Sequence, residues 1–175
     1  YVAWTKEVQC AGELQMAEVV RTLQAAIPAD SIVTNGAGNF TSWFHVFYRF
    51  RQYRTQLAPT NGSMGYGVPA SVAAKLRHPD RVVIAAAGDG DFLMNGQEFA
   101  TAVQHGANIV VLLVNNSMYG TIRMHQERDY PGRVSGTDLR NPDFAAYAQA
   151  FGGHGETVAK TEEFKPALDR ALASG

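Results

Sequence analysis

Two apolar runs constrain this chain more than any other feature: Val82-Val83-Ile84-Ala85-Ala86-Ala87 and Ile109-Val110-Val111-Leu112-Leu113-Val114. Neither alternates with polar residues, as expected of parallel strands covered on both faces. Each run ends in small polar residues, Gly88-Asp89-Gly90 after the first and Asn115-Asn116 after the second. Between them, Gln97 to His105 has the spacing of a helix, with Phe99, Ala102 and Val103 on one face and Gly106 as its C-terminal stop. Strand, helix and strand of this kind cross over right-handedly. Both polar ends therefore leave one sheet at the same carboxyl edge, where open α/β folds bind ligands. The expected fold is α/β, a doubly wound parallel sheet with helices on both faces.

The chemistry of that edge is set by oxygen. Asp89 offers a carboxylate and Asn116 an amide oxygen, hard ligands suited to Mg²⁺ or Ca²⁺. One carboxylate and one amide do not complete a cage. Mg²⁺ commonly fills its shell with substrate phosphates and water. Gly90 permits close backbone approach, and the turn runs into a helical segment whose first amides can face an anion. The pattern suggests a Mg²⁺-bridged phosphate or diphosphate; two ordinary strand-end turns would use the same residue types.

Gly88-Asp89-Gly90, then helix and strand, then Asn115-Asn116, resembles the diphosphate-binding motif of thiamine-diphosphate-dependent enzymes, at that family's interval. Similarity to the acetolactate-synthase-like branch runs from about Leu14 to Phe164. The resemblance implies metal ligation by Asp89, Asn116 and the carbonyl of Met118. It places Gly38 and Asn39 in the loop after the first strand at diphosphate contacts, with Phe40 offering only its backbone where relatives carry histidine. Met64 becomes the apolar wedge that bends the cofactor, the Gly62 carbonyl holds its amino group, and Ser63 lies between them. Gly90 and the backbone amide of Asp91 face the diphosphate; Tyr119 and Gly120 close the site. Two departures bear on the reaction. Tyr119 stands where acetolactate synthases carry glutamine, and no tryptophan follows it.

The remaining chain fits around this edge. Tyr1 to Gly12 lacks periodicity and reads as a linker from something upstream, which leaves 13–175 as the cofactor domain. Met16, Val20, Leu23 and Ile27 share a helical face closed by Pro28. Ser31 to Thr34 reads as a strand, followed by the Gly-rich turn Asn35-Gly36-Ala37-Gly38-Asn39. Phe40 to Arg54 interleaves aromatics with arginines, a composition typical of interface cores. A short strand is expected at Gln56–Ala58 and a small-residue helix from Gly65 to Leu76. Neither the dinucleotide nor the Walker glycine fingerprint occurs.

An acid at 91 beside a diphosphate must turn away, for instance to cap the helix behind it. Asn95, Gln97 and Glu98 read as ordinary helix-start residues, and His125 as a surface histidine. Tyr130 to Pro142 forms a long loop, a lid or an interface arm. Phe144, Tyr147, Ala148 and Phe151 give the next helix a buried face; Glu156 to Ala159 reads as a strand and Thr161 onward as a last helix. Relatives usually add one more strand, absent from this sequence.

With 175 residues, 46% of them apolar, the chain suits one domain with a substantial core. A net charge of −1 and no basic patch argue against nucleic acid, and no run approaches membrane-spanning length. Cys10 is the single cysteine, which fits a reducing cytoplasm. The start, without Met or a signal peptide, reads as cut from a longer protein. The resemblance implies that the complete protein decarboxylates a 2-oxo acid and protonates the product or joins it to a second carbonyl, as a homodimer or homotetramer. No catalytic residue is expected within this stretch. The glutamate that activates the pyrimidine ring belongs to a pyrimidine-binding domain of the same or a partner chain. The alternatives are a non-catalytic assembly or regulatory module, and a simple decarboxylase of the benzoylformate-decarboxylase kind.

Overall fold

A computed structural model describes residues 8–175. Of the expected linker, residues 1–7 lie outside the described residues, and 8–12 join no helix or strand. The Gln15 side chain ties that stretch to the domain, accepting from the Cys10 amide and donating to the Cys10 and Gly12 carbonyls.

The elements follow in the order α1 Met16–Ala26, β1 Ile32–Asn35, α2 Thr41–Phe47, β2 Gln56–Leu57, α3 Gly67–Arg77, β3 Val83–Gly88, α4 Asp89–Asn95, α5 Glu98–Gln104, β4 Val110–Val114, α6 Gly120–Asp129, α7 Phe144–Ala150 and α8 Thr161–Ala173. The four strands are all parallel, in the order β2-β1-β3-β4. The chain thus winds outward from β1 in one direction and from β3 in the other. The carboxyl ends of β1 and β3 flank the crevice where that reversal occurs.

Alternation along the strands splits the core between two layers. Val33, Ile84, Ala86, Val110 and Leu112 pack with Val20 and Leu23 of α1, Phe44 and Phe47 of α2, and Phe164 and Leu168 of α8. The alternate positions meet the other face: Ile32 and Val83 pack with Ala74 of α3, and Ala87 with Val68 of α3 and Phe92 of α4. Helices therefore cover both faces, as a doubly wound sheet requires. Leu23 and Ile84 are fully buried, and each such side chain contributes about 1.5–3 kcal/mol.

Several expectations change. β4 is half-buried along its length rather than covered on both faces. It is the edge of the sheet, and an open cleft lined by Val111, Leu113, Phe144 and Val158 runs along it. Glu156 to Ala159 pairs with no strand, and its residues Glu156, Thr157 and Val158 line that cleft. For the same reason Phe144, Tyr147, Ala148 and Phe151 are half-buried, held by edge-on ring contacts of Phe144 and Tyr147 with Phe92. Val103, expected inside, is 42% exposed, because only Ala102 of α5 reaches the core against α3. Phe44, Phe47 and Tyr48 of the aromatic stretch are buried in this chain's own core; Tyr53 remains exposed.

Candidate functional site

The loops after β1, β3 and β4 converge at the carboxyl edge. Strand register explains why: Asn35 pairs with Ala86, and Gly88 with Val114, so the three strands release their loops at neighbouring levels. Asp89, the first residue of α4, is buried at 3% exposure, and among the described residues no lysine, arginine or histidine pairs with it. Its Oδ2 accepts a hydrogen bond of 2.7 Å from the Asn141 side-chain amide. A buried carboxylate with only a neutral partner is costly, which is the environment that a cation relieves.

Asn115 and Asn116 turn back on their own backbone. Asn115 Oδ1 accepts from the Ser117 amide and Asn116 Oδ1 from the Met118 amide. These consecutive turns force Ser117 to a φ of 57°, left-handed and strained for a residue with a Cβ. The Met118 carbonyl accepts from the Gly120 amide and keeps a second lone pair. Asp89, Asn116 and the Met118 carbonyl are all hard oxygen donors, a set that fits Mg²⁺. Among the described residues no group of three His, Cys, Asp or Glu side chains forms a metal cluster, so the remaining ligands must come from solvent or a bound phosphate.

Two glycines bring rings against the turn. A Cβ on Gly90 would lie 2.5 Å from the Tyr119 ring, and one on Gly88 would lie 2.8 Å from the Phe40 ring. Phe40 is thus buried over the strand end. Asn39 stays exposed, but its side chain reaches across to α6: Oδ1 accepts from Thr121 and Nδ2 lies 3.9 Å from the Met124 sulfur. Gly38 and Asn39 are thereby linked to the same helix whose first residue is Gly120.

The Asp91 carboxylate does not cap its own helix. It is 3% exposed, and its Oδ1 accepts from the Ala37 amide at 3.1 Å and the Gly65 amide at 2.8 Å. Burial pushes its pKa up, against the pull of the Gly65, Ala37 and Gly88 backbone donors. Asn95, read from sequence as an ordinary helix residue, donates to the Gly65 carbonyl at 3.0 Å. Both backbone groups of Gly65, at a φ of 82°, are therefore gripped by α4. That pins the preceding loop, in which Gly62 and Ser63 are exposed and Met64 half-buried. A charged or amide side chain one helical turn after a glycine turn is the only sequence signal for this grip, and it is weak.

The segment expected to be a lid or an interface arm is tethered to the turn after β4. Met118 bridges Asp138 in antiparallel register, with Tyr119 donating to the Thr137 carbonyl and Leu139 to that of Ser117. The pairing delivers Asn141, which sequence reasoning missed, to Asp89 and to Asn115 at 2.8 Å. Glu98 and His125 stand apart from this cluster: Glu98 accepts from Thr101 in its own helix, and His125 contacts Arg128 on exposed α6.

Residues 36–175 match the family model for the C-terminal TPP binding domain of thiamine pyrophosphate enzymes. The acetolactate synthase large subunit of Corynebacterium glutamicum is 39% identical over 159 residues, 87% of this chain and 25% of that protein. A sulfoacetaldehyde acetyltransferase of Alcaligenes xylosoxydans xylosoxydans is 34% identical over 156 residues, 89% of this chain and 26% of that protein. Among solved structures, a thiamine diphosphate-dependent 4-hydroxybenzoylformate decarboxylase of Rhodococcus jostii superposes with a TM-score of 0.88 at 30% identity, covering 96% of this chain and 32% of that one. The chain spans about a quarter to a third of the length of these relatives.

Proposed function

This chain belongs to the C-terminal TPP-binding domain family of thiamine pyrophosphate enzymes, on its acetolactate-synthase-like side, and on that premise we propose that it is the Mg²⁺-diphosphate half of a 2-oxo acid decarboxylase or carboligase. The observation that carries the reading is the buried Asp89, with no basic partner among the described residues, beside two consecutive asparagine turns at the sheet's carboxyl edge.

In this reading Asp89, Asn116 and the Met118 carbonyl would hold Mg²⁺, which would supply positive charge for a diphosphate. The backbone of Gly38, Gly90, Asp91 and Gly120 lines the diphosphate, where oriented amides favour an anion. Asn39 and Tyr119 flank it, one tied to α6 and the other lying over Gly90. Gly62, Ser63 and Met64 present an exposed backbone and a half-buried thioether to the rest of the cofactor, with Gly65 fixed behind them. Thiamine diphosphate, when bound, supplies a nucleophilic carbon and an electron sink for cleaving a 2-oxo acid. The protein's part is to orient the cofactor and exclude water. The proton-activating glutamate comes from a pyrimidine-binding domain, so the chain alone is inactive and the working unit is a homodimer or homotetramer. A cytoplasmic location fits the single cysteine; among the described residues no helix is long and apolar enough to cross a membrane.

The likeness to a decarboxylase structure favours one variant, simple decarboxylation without carboligation. Tyr119, in place of the glutamine of acetolactate synthases, is consistent with it. Product analysis of the full-length protein with pyruvate and benzoylformate, with and without thiamine diphosphate, tests both. Cofactor-dependent CO₂ release is expected, and an aldehyde product alone selects the decarboxylase. Absence of CO₂ release from every 2-oxo acid, in protein that binds the cofactor, would leave the non-catalytic module as the function.

A further inference from the structure

Among the described residues, Asn141 is the side chain that hydrogen-bonds to both halves of the proposed cation site. Its Nδ2 donates to Asp89 Oδ2 at 2.7 Å and to Asn115 Oδ1 at 2.8 Å. Asp89 leaves β3, while Asn115 leaves β4 and heads the turn that sets Asn116 and Met118. Both amide hydrogens of Asn141 are thus used, and both partners are oxygens, which fixes the orientation of its amide. Its own Oδ1 is buried and has no hydrogen-bond partner, a condition shared by only two other side-chain atoms among the described residues. Neither of those, Ser31 Oγ or Thr137 Oγ1, bonds to a candidate ligand.

The placement of Asn141 is itself determined. Pro142 follows it and holds it to extended backbone, Asp143 caps α7 behind it, and the pairing of Leu139 with Ser117 anchors it in front. The side chain is delivered by a braced segment, not by a free loop.

We propose that Asn141 is a positioning residue of the cation site: it locks the Asp89 carboxylate and the Asn115–Met118 turn into one ligand geometry. With Oδ2 committed to Asn141, the other carboxylate oxygen is left for the metal. The orphaned Asn141 carbonyl is then the acceptor available to a water in the metal's shell, since Mg²⁺ keeps several waters. Residues in this position orient ligands and commonly account for 10–100-fold in metal affinity. The inference rests on the Mg²⁺-diphosphate reading, and its test separates the two.

The test is equilibrium dialysis of thiamine diphosphate against the full-length protein over chelator-buffered Mg²⁺ concentrations. Wild type, Asp89→Ala, Asn141→Ala and Asn141→Ser are compared. Asn141→Ala should raise the Mg²⁺ concentration for half-maximal cofactor binding by about 10–100-fold. Asn141→Ser, which keeps one donor, should fall between it and wild type. The melting temperature of the metal-free protein should fall in Asn141→Ala, because Asp89 Oδ2 loses its donor, so the Mg²⁺ half-point measured on folded protein is the readout that a merely structural role would not move. Wild-type binding that depends on Mg²⁺ and on Asp89, combined with an unchanged half-point in both Asn141 variants, overturns this inference alone. Binding that ignores Mg²⁺ in wild type overturns the cation reading and this inference with it. Should Asn141→Ala fail to fold, Asn141→Ser decides by the same criterion.

Discussion

Removal of the Asp91 carboxylate should loosen two loops at once. In Asp91→Ala the amides of Ala37 and Gly65 lose their acceptor. An orphaned buried donor costs roughly 1–3 kcal/mol, so two cost roughly 2–6. Relief of a buried charge offsets part of this, as does water reaching the partly exposed Ala37. The net loss should be about 2–3 kcal/mol. Asp91→Asn keeps Oδ1, the atom that receives both amides, and should lose about 1 kcal/mol or less. The geometry adds a stricter condition. A Cβ on Gly36 would fall inside the Asp91 carboxylate, so Gly36→Ala should be severely destabilising in wild type and mild once Asp91 is alanine. Residues that share space in this way show coupling of about 1–3 kcal/mol in a double-mutant cycle. Urea unfolding followed by fluorescence, with Trp43 stacked on Phe47 as the reporter, gives all four free energies. Additive losses, or an Asp91→Ala cost below about 0.5 kcal/mol, would refute the clamp.

Other predictions follow from single contacts. Gly90→Ala places a methyl 2.5 Å from the Tyr119 ring, so thiamine diphosphate affinity of the full-length protein should fall at least about tenfold while stability drops by about 1–3 kcal/mol. Calorimetry and urea unfolding report the two effects separately. Leu23→Ala and Ile84→Ala, both at 0% exposure in the core of the first layer, should each cost about 2–5 kcal/mol by urea unfolding. Glu156 is held down to about 2, from an ordinary 4.5, chiefly by its hydrogen bonds to Arg170 and then His154. Its folded pKa is depressed, so its contribution is fully present above about pH 4.5 and is lost as pH falls toward 2. The difference in melting temperature between wild type and Glu156→Gln should therefore shrink over that window.

The sheet was legible because burial on both faces leaves an uninterrupted apolar run, and the Gly88-Asp89-Gly90 turn because close approach demands glycine. β1 starts one residue later than expected, since the Ser31 amide turns back to the Pro28 carbonyl. Periodicity could not reveal that β4 lies at an edge, because an edge strand beside an apolar cleft has the same composition as a central one. It also misassigned Val103, whose helical face depends on where α3 lies. Of the aromatics after Phe40, Phe44, Phe47 and Tyr48 pack with α1 in the same chain, while Tyr53 stays exposed. Asp91, Asn95 and Asn141 were hardest to read. Their hydrogen bonds join residues 26, 30 and 52 positions apart, and polar pairs so distant leave no period in the chain.

The proposed function stands on a Mg²⁺-dependent thiamine diphosphate site built on Asp89. Calorimetric titration of the cofactor into the full-length protein, with Mg²⁺ and then with chelator, tests it most directly. One site per chain is expected, with binding that disappears with chelator and is lost in Asp89→Ala. Undiminished binding by Asp89→Ala, or none by wild type at millimolar cofactor and Mg²⁺, would contradict it.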